Sequence, residues 1–429
     1  MNILIVSHEY PPVGGGGANA CMNLAKEYSE AGNTITIVTV FFPGEKEYEE
    51  KDGIKIIRVR SKRAHMEHCG FGEMLDYLKK AFPVVKKLAK EEKFDICQVF
   101  FGIPSGPLGY YLKKKFHIPY VIRFGGGDIP GFQDRFAFVY KAIGPAIKVL
   151  WRNADALVAN SLGLKNLAKE FYDKKEILII PNGASVRAFS GQDAGSIEAR
   201  GTDQRTNQRS STYSGECGKD SEIFLSGEKD NCHLLFVSRL IERKGLQDIL
   251  PQLKEVIDRC KAENSENAIH DSNDIEASGN GVSCTNVTLD IVGDGPYRET
   301  LEAMVKELGI SESVVFHGQK SKNQLPAYYS GADVFLFPSR KEGMPNAVLE
   351  AMSYGLPIIM TPCQGSDELI DGNGFVTKAA GFGEKIEELV LDRETREKMG
   401  NRSTQLIEEV FSWHSTADNY MKLFEKIIR

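Results

Sequence analysis

Two doubly wound α/β domains, each a parallel sheet with helices on both faces, are the architecture that this sequence predicts. Short apolar runs alternate with helical patterns in two successive series, and those runs are continuously apolar, as strands buried on both faces require. The length of 429 residues suits two or three domains, and 41% hydrophobic residues can fill sizeable cores. Residues 3–7 read as a strand, followed by a glycine-rich loop, a helix near 20–31 and a second strand at 34–41, a β-α-β opening. Further strands are expected at 54–59, 96–100, 120–124, 156–159 and 177–180, and the first domain, residues 1–187, closes near Pro181-Asn182-Gly183. A second series at 234–237, 287–292, 314–316, 334–337, 357–360 and 374–376 defines a domain over 232–412. The terminal segment 413–429 has helical periodicity in Tyr420, Leu423, Phe424 and Ile427, and is expected to pack back on the first domain. Residues 188–231 and 262–285 are polar and rich in Gly, Ser, Asn and Glu, so they read as mobile insertions without chemistry.

Composition narrows the function. A formal charge of −6 gives no basic surplus, which argues against a nucleic-acid partner. Eight cysteines without any C-x-x-C suggest neither a disulfide framework nor a zinc site, and fit a reducing cytoplasm. The opening MNILIVSHEYPP is too short and lacks the flanks of a signal peptide, and no run reaches membrane-spanning length. Residues 74–93 set Lys79, Lys80, Lys86, Lys87 and Lys90 beside Leu75, Leu78, Phe82, Val85 and Leu88. That pattern suits peripheral contact with an anionic membrane, but an exposed helix with its apolar stripe on the sheet is the better reading, roughly two to one.

The richest stretch for chemistry is EGMPNAVLEAMSYGLP at 342–357. The preceding strand, Pro345 at a first helical position and Gly355 with Pro357 at the stop put a loop and a helix start here. A helix start favours phosphate, and Glu342 and Glu350, about 10 Å apart by helical rise, could flank a sugar-diphosphate-ribose group. The bland reading is the wet face of an amphipathic helix, which spacing alone slightly favours. Arg239 and Lys244 border a strand-to-helix turn and could grip a diphosphate, though either alone is more often a solvated charge. DIVGDGPY at 290–297 offers a turn where a base or ribose could rest, and is as readily a plain turn. The loop YPPVGGGGAN at 10–19 brings backbone close to a ligand at the sheet edge. Its match to G-x-G-x-x-A is weak evidence for a dinucleotide, since the strand ending in Phe41 has no acidic residue to hold ribose.

Arg239-x4-Lys244, the GDGP turn and Glu342-x7-Glu350 occur in one order at successive strand ends. With the glycine-rich loop, IPYVIRFGGGDIPGF at 118–132, NADALVANS at 153–161, IPNGAS at 180–185 and NGFV at 373–376, the chain resembles the retaining glycosyltransferases of family 4 over nearly its whole length. The resemblance implies a GT-B fold, two Rossmann-like domains facing a cleft, with no metal and no cofactor. It implies a nucleoside-diphosphate sugar as donor, a UDP-sugar being the commonest, and a sugar or lipid-linked sugar as acceptor. Arg239 and Lys244 look like the diphosphate clamp, Glu342 the contact to the transferred sugar and Glu350 the contact to ribose. Backbone of Met344, Pro345, Asn346 and Ala347 is expected at sugar or phosphate, Gly15, Gly16 and Gly17 on the far side of the diphosphate, and Gly293, Gly295, Pro296 and Gly318 about the base. Many members carry a His before the Asp of the loop at 124–128. Here the loop reads Phe124-Gly125-Gly126-Gly127-Asp128, so Asp128 remains without an imidazole. His8 and His117 read as ordinary strand-end or surface histidines. Rival readings are a catalytically silent sugar-nucleotide binder and an NAD-dependent oxidoreductase. The latter leaves Arg239, Lys244 and the paired glutamates unexplained.

Overall fold

The computed structural model describes residues 1–66, 69–132, 137–185, 231–270 and 286–429, with the side chains of 263–270 excepted. Strands β1 (Asn2–Ser7), β2 (Thr34–Val40), β3 (Tyr48–Lys51), β4 (Ile54–Val59), β5 (Ile96–Phe100), β6 (Tyr120–Arg123), β7 (Ala156–Ala159) and β8 (Ile177–Ile179) form one sheet in the order β3-β4-β2-β1-β5-β6-β7-β8. Helices α1 (Gly16–Glu30), α2 (Phe71–Glu91), α3 (Gly102–Phe116), α4 (Ala137–Asn153) and α5 (Leu162–Phe171) connect its strands. Every pairing is parallel except β3 with β4. That edge hairpin was not foreseen. Its YEEK sequence is largely exposed and charged, a composition that blunts a sheet edge against further pairing.

In β1, Ile3 to Val6 are fully buried because helices cover both faces. Leu4 and Val6 join one apolar cluster with residues of α2, α3 and α4, whereas Ile3 and Ile5 join another on the opposite face. Alternate side chains of one strand therefore feed two cores, the packing a covered parallel sheet requires.

The second sheet contains β9 (Asn231–Val237), β10 (Asn286–Val292), β11 (Val314–Gly318), β12 (Val334–Phe337), β13 (Ile358–Met360) and β14 (Gly374–Val376), all parallel in the order β11-β10-β9-β12-β13-β14. Its helices are α6 (Leu250–His270), α7 (Arg298–Glu307), α8 (Leu325–Gly331), α9 (Asn346–Ser353), α10 (Ser366–Leu369), α11 (Phe382–Leu391) and α12 (Arg393–Glu409). Leu234 and Phe236 pack toward α6, α7 and α11, and Leu235 toward α8, α9 and α12. Helix α6 runs to His270, so the polar insertion expected from residue 262 is helical in its first nine positions; 271–285 and 186–230 lie outside the described residues.

The chain then crosses back. The Ala184 amide donates to the Phe411 carbonyl at 2.7 Å, and Ala184 and Ser412 form an isolated bridge. Gly183 is needed at this crossing, since a Cβ would lie 2.4 Å from the Trp413 amide nitrogen. Ser412 caps the last helix, α13 (Trp413–Ile428), its hydroxyl accepting from the Ser415 amide at 3.0 Å. Buried Trp413, Ala417, Tyr420 and Phe424 of α13 pack with α1 on the eight-stranded sheet.

Candidate active site

Parallel strands in each sheet point their carboxyl ends toward a common gap, which holds a cleft of about 660 Å³. From the first sheet come His8 and Glu9 after β1, Gly15 to Gly17 at the start of α1, and Arg123 at the end of β6. From the second come Arg239 and Arg243 after β9, and Glu342, Gly343 and Met344 between β12 and α9.

Glu342 sits among cations. Its Oε1 lies 2.8 Å from Lys244 Nζ and 3.0 Å from Arg243 Nη1, and accepts from the Ser339 hydroxyl at 3.2 Å. Burial pushes this carboxyl up, but the Lys244 and Arg243 charges prevail and hold it below the usual range, so it is ionised at neutral pH. The placement has a local cause. Residues Glu242–Lys244 form one 3-10 turn ended by Gly245 at φ 72°, where a Cβ would meet the Pro338 carbonyl oxygen at 2.1 Å. The turn therefore packs backbone to backbone on the loop after β12, and the Arg340 amide bonds the Arg243 carbonyl at 2.9 Å. Lys244 lies behind Glu342, over the Phe337 ring at 5.3 Å, rather than on the cleft wall. Arg243 was not singled out in the sequence; standing between Arg239 and Lys244, it had no periodicity or motif of its own.

Pro345 precedes α9 as its cap residue, and Asn346 is the first helical position. The Asn346 side chain joins the sheets, accepting from Asn182 Nδ2 at 3.0 Å and donating to the Gly16 carbonyl at 3.4 Å. Arg123 in turn donates to Asn182 Oδ1. A smaller cleft of about 290 Å³, with Glu350, Tyr329, Lys322 and Asn19 in its wall, also reaches Asn346. Glu350 accepts from the Tyr329 hydroxyl at 3.0 Å, and burial pushes its carboxyl above the ordinary range. Glu342 and Glu350 thus line two different clefts, with Gly16 in the wall of the first and its partner Asn346 in the wall of the second. Ala347 lies half-buried on α9 beside Asn346.

Other candidates stand apart. Gly293, Gly295, Pro296 and Gly318 line neither cleft. A Cβ on Gly293 would strike the Ser238 carbonyl oxygen at 1.8 Å and one on Gly295 the Leu240 oxygen at 2.3 Å, so these glycines let neighbouring strand ends pack. Asp128 reaches the larger cleft, but its oxygens accept from the Gly102 amide at 2.6 Å and the Gly125 amide at 2.8 Å. It ties the start of α3 to the glycine loop. His117 is exposed at the end of α3.

His8, read as an ordinary strand-end or surface histidine, does follow the end of β1 but is buried at the cleft rather than on the surface, edge-on to Phe101 at 4.7 Å between ring centres. Burial, with the Arg63 charge, pushes its imidazole down to about 3. Since the folded value lies below the ordinary 6.5, the neutral ring's contribution to stability is complete above about pH 6.5 and is lost as pH falls toward 3. His8→Gln is expected to remove about one proton's slope from the acid side of the stability profile, read by urea titration between about pH 6 and 4.

Comparisons with known proteins meet this geometry. Residues 14–187 match Glycosyltransferase Family 4, and residues 219–406 match Glycosyl transferases group 1. An uncharacterized glycosyltransferase of Methanocaldococcus jannaschii is 23% identical over 99% of this chain and 98% of its own length. The lipopolysaccharide core biosynthesis glycosyltransferase LpsE of Rhizobium meliloti is 22% identical over 97% and 98%. Among solved structures, sucrose-phosphate synthase from Thermosynechococcus elongatus superposes with a TM-score of 0.74 at 18% identity, covering 100% of this chain and 99% of that one. HepE of Anabaena, in complex with UDP, gives 0.68 at 16% identity, covering 99% and 100%. The fold is therefore GT-B. The chain is a glycosyltransferase of that fold, its first sheet matched by family 4 and its second by group 1.

Proposed function

We propose that the protein transfers a sugar from a nucleoside-diphosphate sugar to a hydroxyl of a sugar or lipid-linked sugar, with retention of anomeric configuration, in polysaccharide or glycolipid synthesis. The observation that carries this reading is the gathering of Arg239, Arg243 and Glu342 on the cleft wall opposite the α1 start at Gly15 to Gly17, with Lys244 paired to Glu342 from behind. Three side-chain cations supply the positive charge that a departing nucleoside diphosphate needs, so the reading invokes no metal. In the transfer, the bond from the anomeric carbon to the leaving phosphate oxygen breaks while the acceptor oxygen bonds the same face of that carbon. The acceptor proton passes to the leaving phosphate. Glu342 would bind hydroxyls of the transferred sugar, and backbone about Met344 to Ala347 sugar or phosphate. With both oxygens engaged, Asp128 acts here by positioning its loop. UDP bound to the Anabaena relative and the lipopolysaccharide role of the Rhizobium one support the donor and acceptor classes. Peripheral contact with the inner face of a membrane belongs to the same reading; among the described residues no helix is long and apolar enough to cross one.

A thermal-shift screen with UDP, GDP, ADP and their sugar conjugates tests the donor class, because a ligand of the native state raises its melting temperature. No shift with any of them would sink the reading. Glu350→Ala is expected to weaken donor binding by about tenfold through lost ribose hydrogen bonds, measured by calorimetry; unchanged affinity would remove the ribose assignment. A silent sugar-nucleotide binder is the second reading, favoured by the absence of an imidazole beside Asp128 and by Glu342 being neutralised within the protein. Donor hydrolysis or transfer by the purified chain excludes it.

A further inference from the structure

Three glycines lead into α1, and a side chain at each would meet something different. A Cβ on Gly15 would have no atom within 4 Å apart from its chain neighbours, and one on Gly16 would face Asn346 Nδ2 at 3.3 Å. One on Gly17 would run into the ring tip of Phe101, 2.3 Å from Cζ. The same ring excludes a side chain from the loop after β6: a Cβ on Gly125 would lie 2.2 Å from Phe101 Cε1 and 2.4 Å from Cδ1. Phe101 thus stands between the start of α1 and the loop that carries Asp128, edge-on to His8, and lines the larger cleft. Its backbone is strained. Phe101 has φ 67° and ψ 116°, a region that bulky side chains rarely adopt. The conformation is held from both sides, since the Phe101 amide donates to the Arg123 carbonyl at 3.0 Å and the next amide, of Gly102, donates to Asp128 Oδ2 at 2.6 Å. Asp128 Oδ1 takes the Gly125 amide at 2.8 Å, so one buried carboxylate fixes both the turn under the ring and the glycine against its edge. Backbone strain persists only where the surroundings over-determine it, and it clusters at ligand sites.

We propose that Phe101 is a positioning residue: its ring, wedged between Gly17 and Gly125, sets the start of α1 where the first amides of that helix meet the donor diphosphate. This role rests on the donor reading above and divides the work of the glycines. First-turn amides have no acceptor within their own helix and lie at the positive end of its dipole, so their placement governs how well they hold phosphate. A shift of α1 by the width of a methyl group would move those amides away from a diphosphate that Arg239 meets from the other wall. Gly17 is small because it receives Phe101, whereas the open space at Gly15 leaves room for a ligand. Asp128, with no imidazole beside it, is the group that holds the wedge in place.

The test is a double-mutant cycle on the full chain with Gly17→Ala and Phe101→Leu, the latter removing the ring tip that the added Cβ would strike. Calorimetric titration uses UDP, or GDP or ADP where the wild-type chain takes one of these instead. Gly17→Ala is expected to weaken binding about tenfold or more, and to cost about threefold or less when Phe101→Leu is already present. Gly15→Ala is expected to leave the urea midpoint unchanged and to weaken binding equally in both backgrounds. A Gly17→Ala loss of the same size in both backgrounds would reserve that glycine for the ligand and overturn the proposal. So would coupling confined to the urea midpoint with nucleotide affinity unmoved, the mark of a ring that only fills space. If Gly17→Ala does not fold, recovery of folding and binding in the double variant is the same rescue, and a double variant that stays unfolded while Phe101→Leu folds overturns the assignment. Absence of nucleotide binding by the wild-type chain sinks the donor reading and this role of Phe101 with it, whereas normal wild-type binding with an additive cycle sinks the role alone.

Discussion

Replacing Lys244 by alanine is expected to lower turnover at saturating donor by about two orders of magnitude or more, with little change in the urea midpoint. The side chain is 12% exposed, pairs with Glu342 at 2.8 Å and rests over Phe337. Preorganised charge of this kind is effective because it needs no reorientation when negative charge develops on the leaving diphosphate. The variant also removes a partner of Glu342, but Arg243 remains 3.0 Å away, so the carboxylate stays compensated and the fold should survive. Initial rates at several donor concentrations separate the two contributions. A fall in kcat with KM held marks charge stabilisation in the transition state, whereas a rise in KM alone marks loss of donor binding. Unchanged kinetics would reduce Lys244 to a structural counter-ion for Glu342.

Why Lys244 and Glu342 meet at all, nearly a hundred positions apart, follows from topology. Adjacent parallel strands β9 and β12 release their chains at the same edge, so residues just after them become neighbours. That much is legible from strand order, and the continuous apolar runs made the two sheets readable for the same reason. The missed elements lack a local imprint. Strand β3 is held by its pairing with β4 and by buried Arg58, which bridges Glu45 at 3.2 Å and Glu49 at 2.9 Å, partnerships no window of sequence displays. The extension of α6 past residue 262 was hidden by polar composition, which reports burial rather than backbone conformation. Asn182 was legible only as part of the IPNGAS segment that closes the first domain, and Tyr329 not at all, because their importance lies in their partners, Asn346 and Glu350. Glycines such as Gly293 were ambiguous in principle: close approach of a ligand and close approach of a neighbouring strand demand the same missing side chain.

Phe424→Ala should cost the eight-stranded lobe about 3–5 kcal/mol, the largest stability change expected here. Phe424 is fully buried, its ring 5.8 Å from Tyr28 of α1 and 5.9 Å from Tyr420. The same cluster holds Ile3, Ile5, Ile35 and Ile37, so α13, arriving from the end of the chain after the second sheet is complete, covers apolar strands made at its beginning. Truncation at Phe424 leaves a cavity within that long-range contact, and two packed helices hold its walls apart, which limits collapse. The measurement is selective because the chain has two tryptophans, Trp151 and Trp413, and both lie in the cores of this lobe. Tryptophan fluorescence during urea unfolding therefore follows the eight-stranded lobe, where a single global transition cannot be assumed for two lobes. A shift below about 1 kcal/mol would mean that α13 rides on the surface and that the first sheet does not depend on the chain's return.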